Sequence, residues 1–294
     1  MEIFGIPSQA LFGQLLIGLI NGSFYALLSL GLAVIFGLLN IINFTHGAQY
    51  MLGAFCAYLL LNKLGIGYWW SLALAPIIVG LTGVVIERTM LSKLYKLDHL
   101  YGLLLTFGLA LIIQGLFRNE FGSSGLPYRI PQELQGAQNL GFMFLPNYRA
   151  WVIVVSLVVC LATWYVIERT KLGAYLRAAT ENPQLVQAFG INVPRMITLT
   201  YGFGVALAAF AGVMAAPIYQ VNPLMGADLI IVVFAVVVIG GMGSIMGAIV
   251  TGFGLGIIEG LTKVFYPEAS NTVIFIIMAI VLLVKPAGLF GTQK

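Results

Sequence analysis

Eight runs of apolar residues set what this chain can fold into: 11–39, 41–62, 68–86, 100–118, 150–167, 196–218, 228–262 and 272–284. A helix needs about 20 such residues to cross a bilayer. Lipid offers no partner to an exposed backbone group, so each run must satisfy its own hydrogen bonds as helix. The run 228–262 is too long for a single pass and is interrupted by the string GGMGS at Gly240–Ser244. Two helices or a re-entrant pair are therefore expected there, for about eight crossings in all, give or take one. Composition removes the soluble alternative. Only 8% of residues are charged and mean hydropathy is +1.01, whereas soluble domains carry roughly a quarter charged residues. The reading is an all-α polytopic membrane protein with broken or re-entrant helices, a single transmembrane domain over 1–294 with no linker. Its start, MEIFGIPSQALFGQ, lacks the basic stretch of a cleaved signal peptide. Cys56 and Cys160 both lie in apolar runs and imply no disulfide framework.

Charge placement orients the bundle. The formal charge of +4 is too small to indicate nucleic acid. Its location says more: Arg88, Lys93 and Lys96 sit in 87–99, and Arg169, Lys171, Arg177 and Arg195 in 168–195. Basic loops stay in the cytoplasm, which puts 119–149 outside, as a lid or docking surface, and 168–196 inside. Parity then places the N-terminus outside, and Lys285 and Lys294 keep the C-terminus inside. The tetrapeptide IERT closes a run at Ile86–Thr89 and again at Ile167–Thr170. Duplication and coincidence explain this equally well, although transporters often contain structural repeats.

The second run opens on polar residues. In LLNIINFTHGAQYMLGAF (38–55), Asn40, Asn43, Thr45, His46 and Gln49 interrupt an apolar neighbourhood. Two readings stand. Helix termination would use Asn43 or Thr45 as a cap and Gly47 to ease the turn, and capping is preferred for the side chains taken singly, because Asn and Thr are favoured caps. Alternatively the stretch is a water-accessible section of a pathway or its gate. In either case a break in the membrane must be covered by protein or water.

Small residues recur every four positions at Gly204, Ala208 and Gly212, at Gly243 and Gly247, and at Ala248, Gly252, Gly256 and Gly260. Such spacing lets helix backbones approach closely. The spacing points first to tight packing inside one bundle; the alternative is a seam that meets a second subunit or lines a pathway. Gly240, Gly241 and Gly243 cluster too densely for a helix interior, which predicts a covered break at a cytoplasmic turn.

The segment AATENPQLVQAFGINVPR is the most informative polar stretch. Asn182 fits an N-cap, Pro183 the first helical position and Gly190 the residue after the last turn. A two-turn helix, Pro183 to Phe189, is expected, presenting Leu185, Val186 and Phe189. Such a knob fits a groove in a partner, and a helix lying on the membrane interface is the other reading.

Three strings in order carry a family resemblance: GLAVIFGLLNIINFTHGAQYMLGAF (31–55), LGAYLRAATENPQLVQAFGINV (172–193) and VIGGMGSIMGAIVTG (238–252). Over Gly18–Gly260 the chain resembles the permeases of branched-chain amino acid ABC transporters. The string LINGSFYALLSLGL (19–32) is more similar to the H-type subunit than to the longer M-type. The resemblance implies one permease subunit of an importer in the bacterial inner membrane, paired with a second, related permease. Two separate ATPases holding ATP and magnesium would drive it, and an external binding protein would deliver Leu, Ile or Val. The knob becomes the coupling helix, with Glu181 and Gly190 at its edges. The glutamate–alanine–alanine motif of other importers is not intact, since Ala178 and Ala179 here precede Glu181.

No phosphate-binding loop GxxxxGK[ST] occurs, so no cofactor is expected in this chain and it reads as a transport subunit rather than an enzyme. The rival reading is a secondary transporter or channel. Ion-coupled carriers place ionisable residues within the membrane, and the candidates here are His46, Asp228 and Glu259. Asp228 reads as a helix-start residue and Glu259 as an ion pair with Lys263, which leaves no coupling site.

Overall fold

The computed structural model describes residues 2–3, 6–39, 43–95, 97–141 and 143–291. Asn40, Lys96 and Lys294 lie outside them. Eleven α-helices occur among the described residues: α1 Ser8–Leu39, α2 Thr45–Leu64, α3 Tyr68–Thr89, α4 His99–Phe121, α5 Asn147–Arg169, α6 Lys171–Glu181, α7 Pro183–Ala188, α8 Val193–Tyr219, α9 Ala227–Gly240, α10 Ile245–Phe265 and α11 Val273–Val284. Six of the long helices, α1, α3, α4, α5, α8 and α10, are apolar enough to cross a membrane. The 20-residue α2 falls outside this set because Thr45, His46 and Gln49 occupy its first turns. At 14 and 12 residues, α9 and α11 are shorter.

The expected run 228–262 divides at 241–244 into α9 and α10. Gly241 and Gly243 take φ of +103° and +87°, a region where a Cβ is strained. Gly243 is thus a turn residue and does not extend the helix-packing row expected at Gly243 and Gly247. Ser244 caps α10, its hydroxyl accepting the Gly247 N–H at 3.0 Å. The carbonyls of Ile239 and Gly240 accept the N–H groups of Leu289 and Phe290 at 2.8 and 3.0 Å. The chain after α11 therefore covers the break, as an interruption at such a place requires.

The helices group into two compact units. One comprises Met1–Ser29, Arg129–Cys160 and Val232–Lys294. Here α1 and α10 meet glycine to glycine: a Cβ at Gly256 would stand 2.4 Å from the Gly18 carbonyl oxygen, and one at Gly260 2.5 Å from that of Gln14. Gly252 lies equally close to Ala26, and Gly247 to Gly240. This close approach carries an ion cluster. Glu259, 5% exposed, accepts from Tyr25 at 2.7 Å and Asn21 at 3.2 Å and pairs with Lys263 at 2.5 Å. Between α4 and α5 the segment expected as an outer lid or docking surface contains a short hairpin, Ala137–Asn139 against Phe144–Pro146.

The second unit comprises Leu30–Tyr128 and Leu161–Ile231. It is built around α8, against which α2 and α3 pack. Gly212 meets the Tyr50 carbonyl, Gly53 meets Ala209, Gly80 meets Gly202 and Ala206, and Gly204 meets Gly31 and Ile35. Ile35, Val79, Leu91, Tyr201, Val205 and Ala209 form the buried core between these helices.

The segment 168–196 holds two helices where one was expected. Lys171–Glu181 is helical, burying Gly173, Leu176 and Ala179 at three-residue spacing. Gly173 admits no side chain, because a Cβ there would overlap the Ile167 carbonyl at 1.6 Å.

Candidate functional site

The polar opening of α2 sits inside the second unit. Asn43, Thr45, His46 and Gln49 are each 0% exposed. The capping expectation is overturned here: Phe44 is the N-cap residue and no side chain caps α2. The side chains turn instead to distant partners. Thr45 Oγ1 donates to the Thr106 carbonyl at 3.0 Å, and Thr106 Oγ1 accepts the Phe44 N–H at 3.2 Å. This holds the start of α2 against the middle of α4. Asn43 Nδ2 donates to Gln49 Oε1 at 3.2 Å, linking a residue two positions before the helix to one a turn into it. The His46 ring fills the notch at Gly31, where a Cβ would lie 3.0 Å from its Cε1.

Gly47 faces Gly226, the residue before α9. A Cβ at Gly47 would stand 2.5 Å from the Gly226 carbonyl oxygen, and one at Gly226 1.9 Å from that of Gly47. Two helix starts, α2 and α9, are thereby brought into backbone contact. The strand-like segment leading to Gly226 is anchored further back. Val221 exchanges two backbone hydrogen bonds with Leu126, at 2.8 and 2.9 Å. Before it, Gln220 adopts φ +61° and lies over Gly125. Among the described residues it is the one non-glycine with positive φ, a conformation that costs about 1–3 kcal/mol and persists only where surroundings enforce it.

The cluster is under-satisfied. Asn43 Oδ1 and the Tyr50 hydroxyl are buried and have no hydrogen-bond partner among the described residues, while Gln49 Nε2 and the Tyr201 hydroxyl face each other. Each such group costs about 1–3 kcal/mol, and buried polar groups are otherwise nearly always paired. A chain of this hydropathy could have placed leucines here. An amide oxygen and a phenol left unpaired work against stability at this place.

The second expected site, the coupling element, is a separate feature of the same unit. Asn182 Oδ1 accepts the Leu185 N–H at 3.0 Å and Pro183 occupies the first turn of α7. Gly190 follows with φ +83°, and Asn192 Oδ1 starts α8 by accepting the Arg195 N–H at 3.1 Å. Glu181 and Pro183 are exposed. Leu185 and Phe189 are 54% and 77% exposed, Phe189 standing just past the helix. Val186 departs from expectation. It is 6% exposed and packs with Ala179 and Val193, so it ties α7 to α6 and α8 instead of facing outwards. Arg177 Nη1 donates to the Ile167 carbonyl at 2.9 Å and lies 3.5 Å from Glu168, fastening α6 beneath α5.

One buried ionisable residue escaped sequence reasoning. Glu87 of the first IERT string is 2% exposed, accepting from Tyr95 at 2.5 Å and from Thr198 at 2.7 Å. Burial and the bond to this carboxylate push the Tyr95 phenol well above its ordinary pKa, keeping it a donor. Glu168 of the second string is exposed, so the two matching tetrapeptides serve different ends. Among the described residues no three His, Cys, Asp or Glu side chains gather as a metal site.

Comparison with known proteins places these features. A family model described as the branched-chain amino acid transport system / permease component matches residues 14–282. The high-affinity branched-chain amino acid transport system permease protein LivH of Escherichia coli K12 is 31% identical, covering 96% of both chains. BraD of Pseudomonas aeruginosa, named likewise, is 31% identical with the same coverage. LivM of Escherichia coli K12 is 27% identical over 92% of this chain and 68% of its own. No solved structure matches. With family features spanning nearly its whole length, from the polar start of α2 to the glycine break before α10, the chain belongs to the family of branched-chain amino acid transport permease components.

Proposed function

We propose that the chain is one membrane-spanning permease subunit of an ATP-driven importer, passing Leu, Ile or Val handed over by an external binding protein. One juxtaposition supports this reading above others: a fully buried, partly unpaired polar cluster at two converging helix starts, in a permease of this family. Asn43, Thr45, His46 and Gln49 form the gate, closed here, through which a zwitterion moves once the helices part. Asn40 completes the expected set from outside the described residues. Selection falls to the external partner, since the cluster contains no charged side chain with which to hold an amino acid tightly.

Energy reaches the gate from the cytoplasm. Helices α6 and α7 form the coupling element, with Leu185 and Phe189 seated in a groove of an ATPase subunit and Glu181, Pro183 and Gly190 shaping its edges. ATP and magnesium belong to that partner. A second, related permease completes the path, and nine crossings, one more than the eight expected, result when α2 and the shorter α9 and α11 are counted with the six long spans. Glu259 is unsuited to ion coupling, being committed to Lys263, Tyr25 and Asn21.

Reconstitution in liposomes tests the reading. With ATPase subunits, second permease and binding protein, ATP hydrolysis should rise several-fold on adding the loaded binding protein, and leucine should accumulate. Uptake by this chain alone down an ion gradient, with no ATPase bound, would overturn the proposal in favour of a secondary transporter.

A further inference from the structure

Where α3 ends and α8 begins, the second unit holds a groove of about 600 Å³ that the transport reading leaves unused. Arg88 and Arg195 stand on its rim, and Val84, Ile197 and Leu199 line it. Both arginines are exposed, and neither forms an ion pair among the described residues. The carboxylate at the groove, Glu87, forms no ion pair with them: it is 2% exposed and its two oxygens accept from Tyr95 and Thr198, so the groove keeps a net positive charge. The groove therefore presents two free cations above an apolar trough.

Its position narrows the occupant. Arg88 lies near the end of the span Tyr68–Lys93 and Arg195 near the start of the span Val193–Tyr219, so the rim is where two helices leave the hydrocarbon. Leu199, one turn further in, is 69% exposed. A soluble anion would have no use for that apolar wall, and a soluble apolar ligand none for the two guanidinium groups. A molecule with an anionic head and an acyl tail uses both. Planar guanidinium forks match phosphate oxygens in geometry as well as charge, and basic pockets between helices at the inner face suit anionic head groups.

We infer that this groove is a binding site for an anionic phospholipid, its phosphate held between Arg88 and Arg195 and an acyl chain lying along Val84, Ile197 and Leu199. Assignment to the inner leaflet rests on the proposed orientation; the binding itself does not. A lipid seated here bridges the ends of α3 and α8 beside Arg195, three residues from the Asn192 that starts α8 after the coupling element. Lipid composition would thereby bear on how firmly that element is held.

Native mass spectrometry of the purified chain, titrated with phosphatidylglycerol and with phosphatidylcholine of identical acyl chains, reads the site in detergent, where no leaflet exists. Phosphatidylglycerol should be retained preferentially. The double variant R88Q/R195Q should bind it roughly twenty- to thirtyfold more weakly, taking about one surface-charge increment per arginine. R88K/R195K should keep most of the affinity, and R118Q/R129Q, which alters charges elsewhere, all of it. Thermal melting establishes that each variant is folded. If R88Q/R195Q does not fold, the preference of the unaltered chain and the lysine pair decide the matter. Equal retention of both lipids, or unchanged phosphatidylglycerol binding by a folded R88Q/R195Q, overturns the inference. So does a folded R88Q/R195Q that keeps the lipid but loses copurifying ATPase subunits, which would make the rim a protein contact. None of these results depends on transport, so failure here is distinct from failure of the importer reading.

Discussion

Gln49 belongs to a group of side chains whose burial works against stability. Its carboxamide oxygen accepts from Asn43 and its amide nitrogen faces the Tyr201 hydroxyl, while Asn43 Oδ1 has no partner among the described residues, and all three residues are fully buried. Removing one member of such a pair strands the other, whereas replacing both with apolar groups of similar shape is near neutral or stabilising. The double substitution Asn43→Leu with Gln49→Met should therefore leave the melting temperature unchanged or raise it, while lowering leucine uptake at least tenfold. Melting and uptake measured on one preparation separate the possibilities. A clear drop in melting temperature with uptake per folded molecule preserved would make the cluster structural. The types of these residues were visible in the sequence, but their partners were not. Asn and Thr before a helix look like caps, and the partner that turns Thr45 elsewhere, Thr106, stands 61 residues away. The opposite holds for Gly241: three glycines within four residues announce a turn from sequence alone, and its φ of +103° agrees.

At the scale of elements, legibility follows how local the cause is. The long spans were readable because lipid solvation acts on every residue of a run, and the ends of α7 because Asn182, Pro183 and Gly190 act within one turn. Helix α6 went unread although its buried residues, Gly173, Leu176 and Ala179, keep helical spacing. Two of the three are small, so the stripe carries little hydrophobic signal. Val186 was misjudged for a related reason: only the return of the chain at Val193 gives it a neighbour. This division between inward and outward residues sets the test of the coupling element. Phe189 is 77% exposed, so Phe189→Asp should leave insertion and melting unchanged. If its ring anchors the ATPase, loss of an aromatic hot spot of about 2 kcal/mol weakens that contact roughly thirtyfold, and pull-down with uptake assays should show both losses. Val186→Asp, by contrast, should loosen α6 and α7 themselves, read as faster proteolysis at 171–190. ATPase retention and normal uptake in the Phe189 variant would remove the residue from the interface.

For the whole molecule the open quantity is topology, and charge and helix length make it a definite expectation. Counting α2, α9 and α11 as crossings places the α2–α3 turn, the hairpin at 137–146 and the segment 220–226 on one side. The 87–99 and 168–196 segments and the break at 241–244 fall on the other. The basic residues gather on this second side, Arg88, Lys93, Arg169, Lys171, Arg177 and Arg195 among them, as cytoplasmic loops do. The short length of α9 does not count against a crossing, because the chain leading into it descends from the Leu126–Val221 pairing to Gly226 beside Gly47 without helix. Irregular backbone of this kind is tolerated at depth when protein encloses it. Single cysteines resolve the matter, introduced at Asn139, Asn222 and Gln187 with Cys56 and Cys160 changed to alanine. A membrane-impermeant maleimide should label positions 139 and 222 in right-side-out vesicles and position 187 only in inverted ones. Labelling of 139 and 222 from opposite sides would mean an odd number of crossings between them. That result would remove α5 or α8 from the count, and with it the cytoplasmic placement of the coupling element.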